Sequence, residues 1–204
     1  MAKLFLDCET SGLPISSNRN VPAKQVYNWP HIVQLSWILQ DAEGNHMNTG
    51  DFIIRPSGYE ISAESTAIHG ISQEKAMNEG EYICDVLRVL KRDIDRCEAI
   101  VCHNAAFDLK VLEASYIRCK VGSKIDKKRK ICTMQHPDIV KFCAVPFPTP
   151  SKYPNSKRGY KWPKLTELYH KCFDMNFPNA HNSLCDVRAT RDCYNYLIEN
   201  KIII

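Results

Sequence analysis

The order in which short apolar runs and helical periods follow one another restricts this chain more than any other feature. Residues 3–8, 31–40 and 51–55 are short runs with β-branched and aromatic content, the third ended by Pro56, and such runs read as strands. Asp41-Ala42-Glu43-Gly44-Asn45 lies between the second and third, and its turn chemistry predicts an antiparallel hairpin. Residues 12–30 form a long connection. Helical spacing follows at 72–78 and again at 82–95, where Ile83, Val86, Leu87, Leu90 and Ile94 share one face. A buried strand at 99–102 leads into a helix over 105–119, then a short strand at 130–134 and helices over 164–173 and 184–199. This order predicts an α/β fold with a mixed central β-sheet flanked by α-helices. With 204 residues and no repeat, linker or low-complexity tract, residues 1–204 are expected to form a single domain.

Composition narrows the class. The chain is 44% hydrophobic and 25% charged, a balance that excludes fibrous and disordered proteins. No window approaches the roughly 18 apolar residues of a membrane span, and the N-terminus lacks the layout of a secretory signal. An intracellular place, cytoplasmic or nuclear, is therefore expected, with no membrane partner. Ten cysteines occur without a Cys-x-x-Cys pair, so they read as reduced thiols packed as small apolar residues. Cys132, His136 and Cys143 are the nearest zinc-like group, and their spacing matches no closed structural site. The formal net charge is only +4, but Lys120, Lys124, Lys127, Lys128, Arg129 and Lys130 cluster, as do Lys152, Lys157, Arg158, Lys161 and Lys164. Such runs are solvated loops or tracks for a phosphate backbone.

The chemistry begins at Asp7 and Glu9, two carboxylates at i and i+2 in the first strand, which project from one face. Burying two acids together raises both pKa values unless a cation sits between them, and a divalent metal is the simplest such cation. Asp41 and Glu43 share the spacing but stand in a polar turn, where solvation explains them. Two further motifs read His-Asn-x-x-x-Asp: His103 to Asp108 opens the helix after the fourth strand, and His181 to Asp186 opens the last helix. Asp108 and Asp186 fall in first helical turns, where the dipole favours an anion and Asn104, Asn182 or Ser183 can cap. Four carboxylates on three elements suit Mg²⁺ or Mn²⁺, and two such ions about 4 Å apart can hold both oxygens of a phosphoryl displacement. These residues alone do not choose between His103 and His181.

At these positions the sequence resembles the DEDD, or DnaQ-like, 3′-to-5′ exonuclease superfamily on a ribonuclease H-like fold. Phe5-Leu6-Asp7-Cys8-Glu9-Thr10-Ser11-Gly12-Leu13 looks like its first motif and His181 to Asp186 like its last. The resemblance implies a phosphodiester hydrolase with two ions per active site, Asp7, Glu9 and Asp186 holding one and Asp7 with Asp108 the other. It assigns His181 as general base and the histidine subtype, since the tyrosine subtype would place Tyr where Asn182 stands. It also implies substrate contacts at Thr10, Leu13, His69, Asn104 and Phe107. The implied partner is single-stranded or 3′-end nucleic acid, DNA or RNA, with a second copy of the chain or a polymerase as further partners. The competing reading is a non-catalytic nucleic-acid-binding or polymerase-associated module of the same fold. The stretch 122–130 and the Pro-rich loop 146–163 fall outside the family pattern.

Overall fold

A computed structural model describes residues 1–16, 18, 20–148 and 159–203. Lys152, Lys157, Arg158 and most of the Pro-rich loop lie outside the described residues. Five strands form one sheet: β1 (Lys3–Thr10), β2 (Ile32–Gln40), β3 (His46–Ile53), β4 (Ala99–Cys102) and β5 (Arg129–Cys132), in the order β3-β2-β1-β4-β5. β2 runs antiparallel to β1 and β3, whereas β1, β4 and β5 are parallel. The helices are α1 (Ala63–His69), α2 (Gln73–Glu79), α3 (Ile83–Arg96), α4 (Ala105–Arg118), α5 (Pro137–Cys143), α6 (Leu165–Phe173) and α7 (Ser183–Glu199). The mixed sheet flanked by helices is the expected fold.

Alternation along β1 builds two cores. Leu4, Leu6 and Cys8 pack with Leu87 and Leu90 of α3 and Val111 and Leu112 of α4. Phe5 packs on the other side with Ile139 of α5, Leu168 of α6 and Val187 and Leu197 of α7. A strand covered on both faces reads as a continuous apolar run, which is why 3–6 carries no alternation. The same alternation puts Asp7 and Glu9 on the Phe5 side. Pairing of β1 with β4 ends at Phe5 and Val101, while β1 continues to Thr10 against β2 alone. Its far half therefore borders a crevice beyond the carboxyl end of β4, the usual ligand position in such sheets. The register also slips between Glu9 and Thr10, and such bulges re-aim side chains next to sites.

The structure departs from the expected boundaries where pairing outweighs local pattern. β3 starts at His46, well before the apolar run at 51–55, because the tight turn carries the ladder straight into a polar segment. There Gly50 lies under Trp37, and a Cβ at that position would stand 2.2 Å from the indole ring. α1 and α5, seven residues each, are further helices that the sequence reading did not place. Gly70 is the left-handed C-cap of α1 at φ 74°, with Ser62 capping the other end through the Ser65 amide. The long connection is fastened to α4. The Arg118 guanidinium donates to the carbonyls of Val26, Trp29 and Pro30 at 2.6, 2.5 and 3.2 Å, and Lys110 donates to that of Val21 at 3.0 Å.

The expectation of ten reduced thiols does not hold throughout. Cys84 of α3 and Cys119 at the end of α4 are joined as a disulfide with Cα atoms 5.4 Å apart. Their separation of 35 residues leaves no short motif to read. Cys8, Cys97, Cys102, Cys172 and Cys193 are buried free thiols. Cys132, His136 and Cys143 form no metal-ligating group among the described residues. Cys132 packs against the α3–α4 core and Cys143 against the α5–α7 core, so the sheet stands between them. No helix among the described residues is long and apolar enough to cross a membrane.

Candidate active site

The two His-Asn-x-x-x-Asp motifs approach the crevice from opposite faces of the sheet, one on α4 and one on α7. In each, aspartate is the fourth helical residue: Asp108 after Ala105 and Asp186 after Ser183. The helix starts are built differently. Asn104 caps α4 in the left-handed region at φ 85° without a side-chain bond, a conformation asparagine tolerates well. Asn182 caps α7 from extended backbone, its side-chain oxygen accepting from the Cys185 amide at 3.3 Å. Asp186 Oδ2 then accepts from the His181 amide at 3.0 Å, so helix and preceding loop hold each other in the manner of a capping box.

One cavity of about 490 Å³ is lined by Asp7, Glu9, Asp108, Asp186 and His181, together with Asn104 and Phe107. An adjoining cavity of about 230 Å³ shares Asn104 and Phe107 and adds Leu13 and Trp29. Leu13 is 84% exposed, so it is an open apolar surface rather than core. The Thr10 hydroxyl donates to the Gly12 carbonyl at 2.7 Å. His69, at the end of α1, accepts from the Ile71 amide at 3.1 Å and lies against the Thr10 backbone and near His181.

The two histidines, equivalent as residues in a string, have different surroundings. Both ring nitrogens of His103 are engaged, Nδ1 with the Thr133 hydroxyl at 2.9 Å and Nε2 with the Pro163 carbonyl at 3.1 Å. Burial lowers its pKa to about 4, so it is a neutral strut. His181 is exposed at φ 72°. Ligand atoms of His181, Glu9 and Asp186 lie within 4.8 Å of one another.

The carboxylates crowd one another. Burial raises Asp7 well above the usual range, and the charges of Asp108, Asp186 and Glu9 add to the effect. Glu9 is raised to about 8, by burial first and then by Asp186 and Asp108. Burial takes Asp108 to about 7 against hydrogen bonds from the Cys8 thiol and amide, and takes Asp186 to about 6 against the His181 amide. The Cys8 thiol, 3.5 Å from Asp108 Oδ1, is itself raised by burial and by that carboxylate, so it stays a donor. Four acids that cannot all ionise together form a site that divalent cations fit, since such ions supply the missing positive charge and prefer oxygen donors.

A supporting chain of hydrogen bonds was not read from the sequence. Asp51 on β3 accepts from Gln34 Nε2 at 2.8 Å and from the Ser36 hydroxyl at 2.7 Å. Gln34 Oε1 accepts from the Ser183 amide at 3.2 Å, and the Ser183 hydroxyl donates to the Asp7 carbonyl at 2.8 Å. Gln34, Ser36 and Ser183 are buried, so β2 orients the start of α7 and the backbone of Asp7 together. The available signal was two polar residues inside the otherwise apolar run of β2. Gln34→Leu should lower turnover about 10- to 100-fold, the usual effect of losing a partner that orients a ligating group. Steady-state assay on protein with an unaltered circular dichroism spectrum checks this, and wild-type turnover would detach the chain from the site.

No curated protein matches the sequence significantly. Solved structures do share the fold. Escherichia coli Exonuclease I in complex with a dT13 oligonucleotide is 22% identical, with 97% of this chain and 41% of that one covered at a TM-score of 0.70. The zinc-bound form of the same enzyme's single-stranded DNA complex is 19% identical, covering 98% and 42% at 0.70. A product-bound structure of an exonuclease I is 18% identical, covering 98% and 44% at 0.70. This chain thus spans about two fifths of those proteins, and the likeness identifies the fold as ribonuclease H-like. The RNase_T family model, described as Exonuclease, matches residues 4–194, nearly the whole chain. The protein therefore belongs to the exonuclease family.

Proposed function

We propose that residues 1–204 form one catalytic domain, a divalent-metal-dependent 3′-to-5′ exonuclease releasing nucleoside 5′-monophosphates from single-stranded or frayed ends. The observation that carries this reading is the single cavity in which Asp7, Glu9, Asp108 and Asp186 meet beside His181. Asp7, Glu9 and Asp186 would hold one Mg²⁺ or Mn²⁺, and Asp7 with Asp108 a second. When bound, such ions neutralise the carboxylates and stabilise charge on the attacking and leaving oxygens. His181, exposed at the rim, takes the proton of the attacking water. Leu13 and Phe107 offer apolar surface to the terminal nucleoside, with Thr10, His69 and Asn104 as polar contacts around it. Lys164, an exposed lysine lining the same cavity, provides an ammonium for the phosphate. The oligonucleotide bound in the dT13 complex of the E. coli enzyme supports a single strand as substrate.

The test is digestion of matched DNA and RNA strands labelled at the 5′ end, with Mg²⁺, Mn²⁺ or a chelator. A ladder shortening from the 3′ end with mononucleotide product, silent in chelator, is expected. Release of the 5′ label as a mononucleotide from the outset would reverse the polarity, and chelator-resistant cleavage would remove the metals.

A further inference from the structure

Among the described residues lining the acidic cavity, Lys164 is the one lysine or arginine. It stands exposed at the N-cap of α6, on extended backbone at φ −70° and ψ 159°. The peptide unit that delivers it is held at both ends. The Pro163 carbonyl lies 3.1 Å from His103 Nε2, and the Lys164 amide donates to Glu167 Oε2 at 2.7 Å. Glu167 is fixed in turn by the Lys161 ammonium, 2.7 Å from its Oε1. A carbonyl only accepts, so His103 Nε2 carries the proton. The ring is neutral, its pKa lowered by burial to about 4, which leaves Nδ1 to accept from the Thr133 hydroxyl at 2.9 Å. His103 lines the same cavity and opens the motif that ends in Asp108. One imidazole thus ties the start of α6 to the end of β4, from which Asp108 follows.

The bonds of His103 serve distant chain rather than its own helix. Its partners stand 30 and 60 residues further on, while Asn104 forms the cap of α4. A lysine carries its charge on a flexible four-carbon stem, and holding that stem in one direction costs rotamer entropy. Fixing the peptide before it sets the direction in which the stem leaves the backbone, so less freedom remains to be lost when an anion binds. We infer that His103 is a positioning residue for substrate: through the Pro163 carbonyl it aims the Lys164 ammonium at a phosphate of the bound strand. The inference rests on the exonuclease reading and deepens it, adding a recognition device separate from the four acids and the ions they would hold.

Binding of a 5′-fluorescent 12-nucleotide DNA strand, followed by anisotropy in Ca²⁺ across a salt series, tests it in a double-mutant cycle. Lys164→Met should weaken binding about tenfold and flatten the salt slope by about 0.7, the value of one phosphate charge contact. His103→Asn puts an amide near the Nδ1 position and leaves the Pro163 carbonyl without its donor. It should weaken binding about fivefold in the wild-type background but less than about twofold on Lys164→Met, as coupled members of one network do. His103→Gln, whose amide nitrogen reaches the Nε2 position, should recover most of the loss. An equal loss in both backgrounds would place the effect of His103 in the fold or the acids and overturn the inference, as would equal losses in the asparagine and glutamine variants. Wild-type affinity and slope in Lys164→Met would overturn it too, whether or not the histidine variants fold. If the unaltered chain cuts strands but the cycle shows no coupling, only the link from His103 to Lys164 falls; if it neither binds nor cuts any strand, the exonuclease reading falls and takes the link with it.

Discussion

Asp7→Asn should lower turnover by more than about 100-fold and, without metal, raise the melting temperature. Asp7 is the carboxylate that feels all three others: burial and the charges of Asp108, Asp186 and Glu9 all push its pKa upward. In the proposed site it is the one ligand common to both ions. Losing a group that merely orients a ligand reduces metal affinity or activity about 10- to 100-fold, so losing the shared ligand should exceed that range. The stability effect has the opposite sign because asparagine removes a carboxyl group whose ionisation the crowded buried cluster opposes. The pH dependence follows from the same shifts. Glu9, Asp108 and Asp186 are raised in the folded protein to about 8, 7 and 6 from ordinary values of 4.5, 3.8 and 3.8. A raised folded-state pKa means that their contribution to stability is fully present at acid pH and is lost as pH climbs through the folded values. Metal-free wild type should therefore melt lower at pH 8.5 than at pH 5, Asp7→Asn should show a shallower fall, and saturating Mg²⁺ should restore much of the loss at pH 8.5. Thermal melts at both pH values, in chelator and in Mg²⁺, read all three. Metal-free wild-type stability that rises across this window would show that these carboxylates do not share a cavity.

Much of this arrangement is visible in the residues because its physical causes are local. An apolar run covered on both faces has little choice but to lie near the sheet centre, so Phe5 and Leu6 place Asp7 there before any pairing is known. Two acids so placed require a cation, and an aspartate at the fourth position of two helices already has a preferred polarity. What was not legible depends on contacts between distant segments. The start of β3 at His46 is dictated by its ladder with β2, not by its own polar sequence. Gln34 and Ser36 gain a role only when Asp51 arrives from β3 and Ser183 from α7. Cys84 and Cys119 meet because α3 and α4 pack on the same face of the sheet. The basic run at 120–130 likewise depends on distant contacts, Lys124 pairing with Asp95 and Lys128 donating to the Cys97 carbonyl, which no charge count contains.

His181→Asn should lower turnover about 100- to 10,000-fold, the range for removing a positioned general base, while Mn²⁺ affinity stays within about threefold of wild type. Asparagine is the informative replacement because residue 181 sits at φ 72°, a region asparagine enters far more readily than alanine does. The His181 amide would thus still donate to Asp186, and the start of α7 would be kept. The metal arm matters because a ring nitrogen of His181 lies within 4.8 Å of carboxylate oxygens of Glu9 and Asp186, close enough to share an ion with them, so a base and a ligand are both geometrically open to it. Chemistry separates them. Mg²⁺ and Mn²⁺ prefer carboxylate oxygen, leaving the imidazole free to accept a proton, whereas Zn²⁺ binds imidazole well. Zn²⁺ should accordingly inhibit by engaging the ring, and His181→Asn should weaken Zn²⁺ binding by at least about tenfold. Calorimetric titration with both metals, beside single-turnover rates, decides the matter. A large loss of Mn²⁺ affinity in His181→Asn would make His181 a ligand in the working enzyme, and an undiminished single-turnover rate would remove it from the chemistry altogether.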